Sequence, residues 1–342
     1  MNKALCLTAI FGVCVEFPSD ARTRAVIDVQ EAVEDGLHYL ESTQEDSGAW
    51  RAGAGYPTSM TSLAGMAFLG AGSTLTRGEY AGRLRRATMF LLDVAHARND
   101  GLIATPGEAS MSMHGHGFAT LFLSQVYGME EARERELELK DVLTKAVELI
   151  SLSQSDAGGW YYTPESRNDE GSVTITQVQA LRACRDAGIY VPKTTVDRAV
   201  EYIRSSANPD GGIRYRVSGG GPGRPAITAA AVVVLDNAGE HGSEIQGIAD
   251  QALGFALSTL SIHGSGQSHH YYAHLYLAQA LYKRGGVDWD DYYARISRWL
   301  VEGSRQRPDG SWEGDDVGPV YGTAIALTIL QLPKALVPIY QR

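Results

Sequence analysis

The chain has 342 residues, is 44% hydrophobic, and carries a formal net charge of −10 from 30 Lys and Arg set against 40 Asp and Glu. A chain of this length buries most of its apolar surface on folding and needs no partner merely to fold. Its charges are scattered, with no basic stripe or arginine cluster to neutralise phosphates, so nucleic acid is excluded as a partner class.

Residues 1–25 run from Lys3 through the apolar stretch Ala4 to Val15 into a polar segment with small residues, the order of a secretory signal peptide. On that reading the protein is exported, periplasmic or secreted, and residues 26–342 form one domain. The alternative is an N-terminal extension of a cytoplasmic protein. Cys14 follows Phe11, Gly12 and Val13, a poor fit to lipid attachment. Loss of Cys6 and Cys14 with the leader leaves Cys184 alone, so the mature fold stands on packing without a disulfide. No other stretch reaches the roughly 20 uninterrupted apolar residues of a membrane span, so the chain is not expected to cross one.

From Val29 onward the sequence repeats. Each unit is an amphipathic helical pattern, a polar Asp/Gly turn closed by Trp or Ile, and a second helix that is apolar nearly all round and rich in Ala, Gly and Thr. The first helices include Val29–Thr43, Leu143–Gln154, Val196–Ser206 and Tyr293–Gln306. The turns end at Trp50, Ile103, Trp160, Ile213 and Trp312, and Gly264-Ser265-Gly266 marks a degraded sixth copy. The second helices are expected over Met60–Ala71, His116–Tyr127, Val173–Ala187, Ile227–Ala238, Tyr271–Tyr282 and Tyr321–Leu332, and their composition assigns them to an inner ring. Alternation of period two is rare, so no sheet is expected.

Gln44 with Gly48 and Trp50, Gln154 with Gly159 and Trp160, and Gln306 with Gly310 and Trp312 resemble the Q-x-G-x-W repeat of squalene and oxidosqualene cyclases and of protein prenyltransferase β subunits. The phrases around Met113–Ala119, Gly159–Pro164, Leu181–Gly188 and Tyr321–Leu327 resemble exported bacterial proteins with prenyltransferase and squalene-oxidase repeats. The resemblance implies an all-α fold, an (α/α)6 toroid of six helical hairpins with QW-type GxW turns. It also implies a hydrophobic, isoprenoid-like ligand in the central cavity. The family's chemistry does not carry over with it. The cyclases' D-x-D-D acid has only the adjacent Asp315 and Asp316 as a counterpart, and the prenyltransferases' Asp-x-Cys zinc pair fails because Arg182 stands two residues before Cys184. Whether the protein is an enzyme therefore stays open.

Residues where inner helices begin line the mouth of such a ring, and position selects the candidates. His114, His116, His269 and His270 either converge on zinc, act as acid and base, or cap helices and bond carbonyls. Asp315 and Asp316 either supply a carboxylate there or cap the last inner helix. Trp160, Tyr161, Tyr271, Tyr272 and Tyr321 are the ligand-binding candidates, with repeat packing as the plain role of Trp160. Ser218–Gly223 is glycine-rich without the Lys-Ser/Thr of a phosphate loop, and serves as a linker or as a lid beside the cavity. An exported scaffold that binds a glycan or a protein partner is the second reading.

Overall fold

The computed structural model describes residues 19–53, 55–237, 242–264, 269–302 and 305–341. The expected leader lies for the most part outside the described residues, as does the middle of the degraded sixth turn. Twelve α-helices form six hairpins among the described residues. The first member of each hairpin is α1 (Ser19–Thr43), α3 (Ala81–Arg98), α5 (Arg133–Leu152), α7 (Lys193–Ser206), α9 (Gly242–Thr259) or α11 (Gly286–Val301). The second is α2 (Pro57–Gly70), α4 (Ser112–Val126), α6 (Gly171–Asp186), α8 (Pro225–Asn237), α10 (His270–Arg284) or α12 (Pro319–Gln331). Only isolated bridges, such as Trp160 with Glu170, stand in for strands among the described residues. No described helix is long and apolar enough to cross a membrane.

Composition sorts the two rings. Every residue of α2 is buried, as expected of a helix packed on all sides, whereas α7 buries only Thr195, Ala199, Val200, Tyr202, Ile203 and Ser206, a single stripe. The second helices pack in the order α2, α4, α6, α8, α10 and α12, and α12 returns to α2 to close an inner ring. The first helices lie outside it.

The turns fasten each hairpin to the next. Gln44 Nε2 donates to the Gly48 carbonyl and to the Arg83 carbonyl of α3, both at 3.0 Å. Gln154 does the same with Gly158 and Thr195 of α7, and Gln306 with Gly310 and Ala32 of α1, so the last turn ties the chain back to its first helix. The indoles of Trp50, Trp160 and Trp312 are fully buried and donate to the Leu40, Ile150 and Leu300 carbonyls.

The bore is open at one end and filled at the other. Toward the C-terminal ends of the inner helices, Gln179 bonds Gln279 across the ring at 2.9 Å and Tyr276 is fully buried. The chain's last turn folds under that end, where the Ile339 N–H donates to Gln125 Oε1 of α4.

Candidate functional site

The open end is a cavity of about 670 Å³ at the N-terminal ends of the inner helices. At 1.5 Å of rise per residue, position along each helix gives depth. Ser59, His114, Ser172, Tyr272 and Tyr321 line it from first turns. Leu63, Phe118, Leu275 and Ile325 line it one turn deeper. Tyr56, Tyr162, Tyr215, Arg224 and His269 come from the segments just before the helices. The hydroxyl, imidazole and guanidinium groups of the lining all belong to the entrance, which Met111, Pro225, Ala226 and Val317 share, while the deeper lining is hydrocarbon alone.

Carboxylates stand behind this wall, tied to helix ends. Glu170, fully buried, accepts the Ser172 and Val173 N–H groups and caps α6. Glu108 accepts the Thr58 N–H at 3.1 Å and caps α2, and Asp315 accepts the Tyr271 N–H at 3.0 Å and caps α10. Burial raises the pKa of Glu170 and of Asp315, while the amide donors oppose that shift. Each carboxylate meets the positive end of a helix and accepts at least one backbone N–H there, and Glu170 and Glu108 take hydroxyl donors as well.

His114 Nε2 lies 3.4 Å from Ser172 Oγ and 3.8 Å from Glu170 Oε1. The Ser172 hydroxyl donates to Glu170 at 2.8 Å, so its proton points away from the imidazole. His114 keeps 23% of its side chain open, but toward the cavity; separation from bulk water, with His269 nearby, pushes its pKa down to about 4. It is a neutral imidazole at neutral pH. At the rim Tyr162 and Tyr215 share a hydroxyl hydrogen bond of 2.5 Å, and the Arg216 guanidinium lies 5.0 Å from the Tyr161 ring centroid and 5.5 Å from that of Tyr215.

No protein-family model and no curated protein matches the chain. Solved structures do. The type II terpene cyclase MstE from Scytonema, in complex with merosterolic acid A, superposes with a TM-score of 0.61 at 15% identity, over 93% of this chain and 99% of that one. The GH76A α-1,6-mannanase of Salegentibacter, in complex with α-1,6-mannotriose, gives 0.63 at 7% identity over 89% and 98%. A D-mannose isomerase gives 0.60 at 10% over 93% and 99%. The chain is an (α/α)6 toroid. The fold is common to these enzymes of different chemistry, so the toroid alone selects none of their reactions.

The toroid separates the candidates that the sequence grouped together. Helix α4 begins at Ser112, not at His116, so both histidines sit within its first turns, and two residues of helix turn a side chain by about 200°. His114 faces the cavity. His116 is fully buried behind it, where its Nδ1 accepts the Ile103 N–H at 3.1 Å and burial holds its pKa at about 4. His269 lines the cavity, while His270 turns away into a cluster with His274, Tyr271 and Trp299. Tyr272 and Tyr321 line the wall. Tyr271 is buried against Trp299, Tyr161 belongs to the rim, and Trp160 is packed out of the cavity's reach. Asp315 caps α10, not the last inner helix α12, and Asp316 is exposed. Among the described residues no three His, Cys, Asp or Glu side chains gather as a metal site. Cys184 is buried and its thiol is pushed up to about 12.

Sequence reasoning missed Tyr56, Ser59, Phe118, Tyr162, Tyr215 and Arg224. The first and the last of these directly precede the helix-starting prolines Pro57 and Pro225, a pairing that could have placed them at inner-helix starts.

Proposed function

We propose that the toroid holds an isoprenoid-like hydrophobic molecule in this cavity, with its chain pointing inward and its polar end among the tyrosines. The observation that carries the reading is the lining itself: apolar at both levels, with its polar side chains confined to the entrance and only Leu63, Phe118, Leu275 and Ile325 a turn deeper. A cavity of about 670 Å³ lies within the roughly 300–1,000 Å³ typical of small-molecule sites. Binding is what these groups offer: Glu170 and Asp315 are engaged by backbone donors, and no Asp or Glu is among the residues lining the cavity. Export, read from residues 1–25, is part of the same proposal.

One observation favours the second reading, a glycan or protein at the rim. Tyr161, Tyr162, Tyr215 and Arg216 form a cluster of tilted aromatic rings and hydroxyls at the rim, a surface of the sort that sugars lie against. Glycoside hydrolysis would further need two carboxyl groups about 5–9.5 Å apart beside the bound sugar, and the lining supplies none.

Native mass spectrometry after incubation with an apolar lipid extract tests the first reading. A one-to-one adduct is expected, and it should disappear in Leu275→Trp, whose indole fills the deep half of the cavity. Failure of any lipid to stay bound, together with retention of an oligosaccharide from a glycan mixture, would move the function to the rim.

A further inference from the structure

Arg224 is the one Lys or Arg among the residues lining the cavity. Its backbone is fixed from both sides: the N–H donates to the Ile213 carbonyl at 2.8 Å, and the carbonyl accepts the Thr228 N–H and hydroxyl, each at 2.8 Å. Just before it, Gly223 lies so near Gly212 that a Cβ on Gly223 would meet the Gly212 Cα at 2.5 Å. The glycine-rich segment is thus pinned where it ends, and Arg224 leaves the backbone at a set point at the start of α8.

The arginine of the rim is already engaged. Arg216 lies over the Tyr161 and Tyr215 rings and bonds the Tyr161 hydroxyl. The Arg224 guanidinium has no hydrogen-bond or ion-pair partner among the described residues. Arg224 is exposed and borders an otherwise uncharged, largely hydrocarbon space; a guanidinium there can receive an anion, and its planar fork matches a carboxylate in two parallel hydrogen bonds. A polyanion fits less well. A diphosphate would set several negative charges against one guanidinium, with the carboxylates of Glu170 and Asp315 behind the wall.

We infer that Arg224 recognises a monoanionic headgroup, so that the ligand of this cavity is a hydrophobic chain ending in a single carboxylate. The inference rests on the hydrophobic-ligand reading above and adds the headgroup and the residue that selects it.

Calorimetric titration of the full chain with farnesol, farnesoic acid and farnesyl diphosphate tests it, because the three share a chain and differ in headgroup. The acid should bind about tenfold more tightly than the alcohol, and more tightly than the diphosphate. Arg224→Gln, at an exposed position, should erase the acid's advantage by weakening the acid about tenfold and the alcohol much less, while Arg224→Lys keeps part of it. Equal binding of acid and alcohol, tightest binding of the diphosphate, or equal weakening of acid and alcohol in Arg224→Gln would overturn the headgroup assignment alone. Binding of none of the three would overturn the hydrophobic-ligand reading with it.

Discussion

In four of the turns a threonine hydroxyl accepts the N–H of the closing residue: Thr61 for Trp50, Thr174 for Trp160, Thr228 for Ile213 and Thr323 for Trp312. In the second hairpin the acceptor for Ile103 is His116. His116→Thr should therefore preserve the hydrogen bond, whereas the near-isosteric His116→Val leaves a buried N–H unpaired. Urea unfolding at pH 7.5 should place the Val variant about 1–3 kcal/mol below the Thr variant. The imidazole also carries a pH signature. Burial lowers its pKa to about 4, against 6.5 in the open chain, with Asp100 and the Ala146 carbonyl opposing the shift. The unfolded state takes up the proton first as pH falls, so stability drops between pH 6.5 and about 4 by about 1.4 kcal/mol per pH unit for this group. That part of the slope should vanish in His116→Thr, while the contribution of the buried His270 and His274 remains.

Backbone strain also gathers at the cavity. Five described residues other than glycine have positive φ; Asn99 and Ala335 are at helix C-caps, where the left-handed conformation is usual, but Tyr56 and His269 line the cavity and Asp315 stands behind its wall. His269, at φ 62° just before α10, is exposed to the cavity and makes no capping bond. His269→Gly should raise thermal stability by up to about 1 kcal/mol and at the same time weaken ligand binding. A loss of stability would mean that the imidazole, not the strain, dominates there.

The turn glycines decide how closely successive hairpins approach. A Cβ on Gly158 would stand 2.3 Å from the Arg198 carbonyl oxygen of α7, and one on Gly310 would stand 2.3 Å from that of Asp35 on α1. Both glycines have φ near 90°, which an alanine does not adopt without strain. Gly158→Ala and Gly310→Ala should each cost more than about 3 kcal/mol in urea unfolding, and a cost below about 1 kcal/mol would show that the outer helices give way easily. Much of this layer was legible in the sequence. The inner helices lie within a few residues of where their all-round apolar composition put them. The outer ones were harder: α5 starts at Arg133, well before Leu143, because its first turns are mostly charged and bury little, and α11 runs Gly286–Val301 because Trp289, Tyr292, Ile296 and Leu300 set its buried face. The start of α4 carries no side-chain cap, so nothing in the sequence showed that His114 would face the cavity and His116 the core.

At the scale of the whole molecule, closure is what makes a cavity. The Gln306 bond to Ala32 and the packing of the Trp312 ring against Gly36 join the last hairpin to the first, and the C-terminal turn seats under α4 of the second. They leave a bore blind at one end and open at the other. The repeat made the ring legible, but not the distribution of space within it, since small residues on inner helices serve close packing and an open bore equally well. That distribution depends on buried groups such as the Gln179 to Gln279 bond, whose partners lie a hundred residues apart. Hydrogen exchange of the protein with and without a bound farnesyl-chain ligand shows where the chain sits. A ligand in the bore should slow exchange in the first two turns of α2, α4, α10 and α12 and leave the outer helices and residues 335–341 unchanged; protection confined to the Tyr161–Arg216 rim or to the outer helices would contradict binding in the bore.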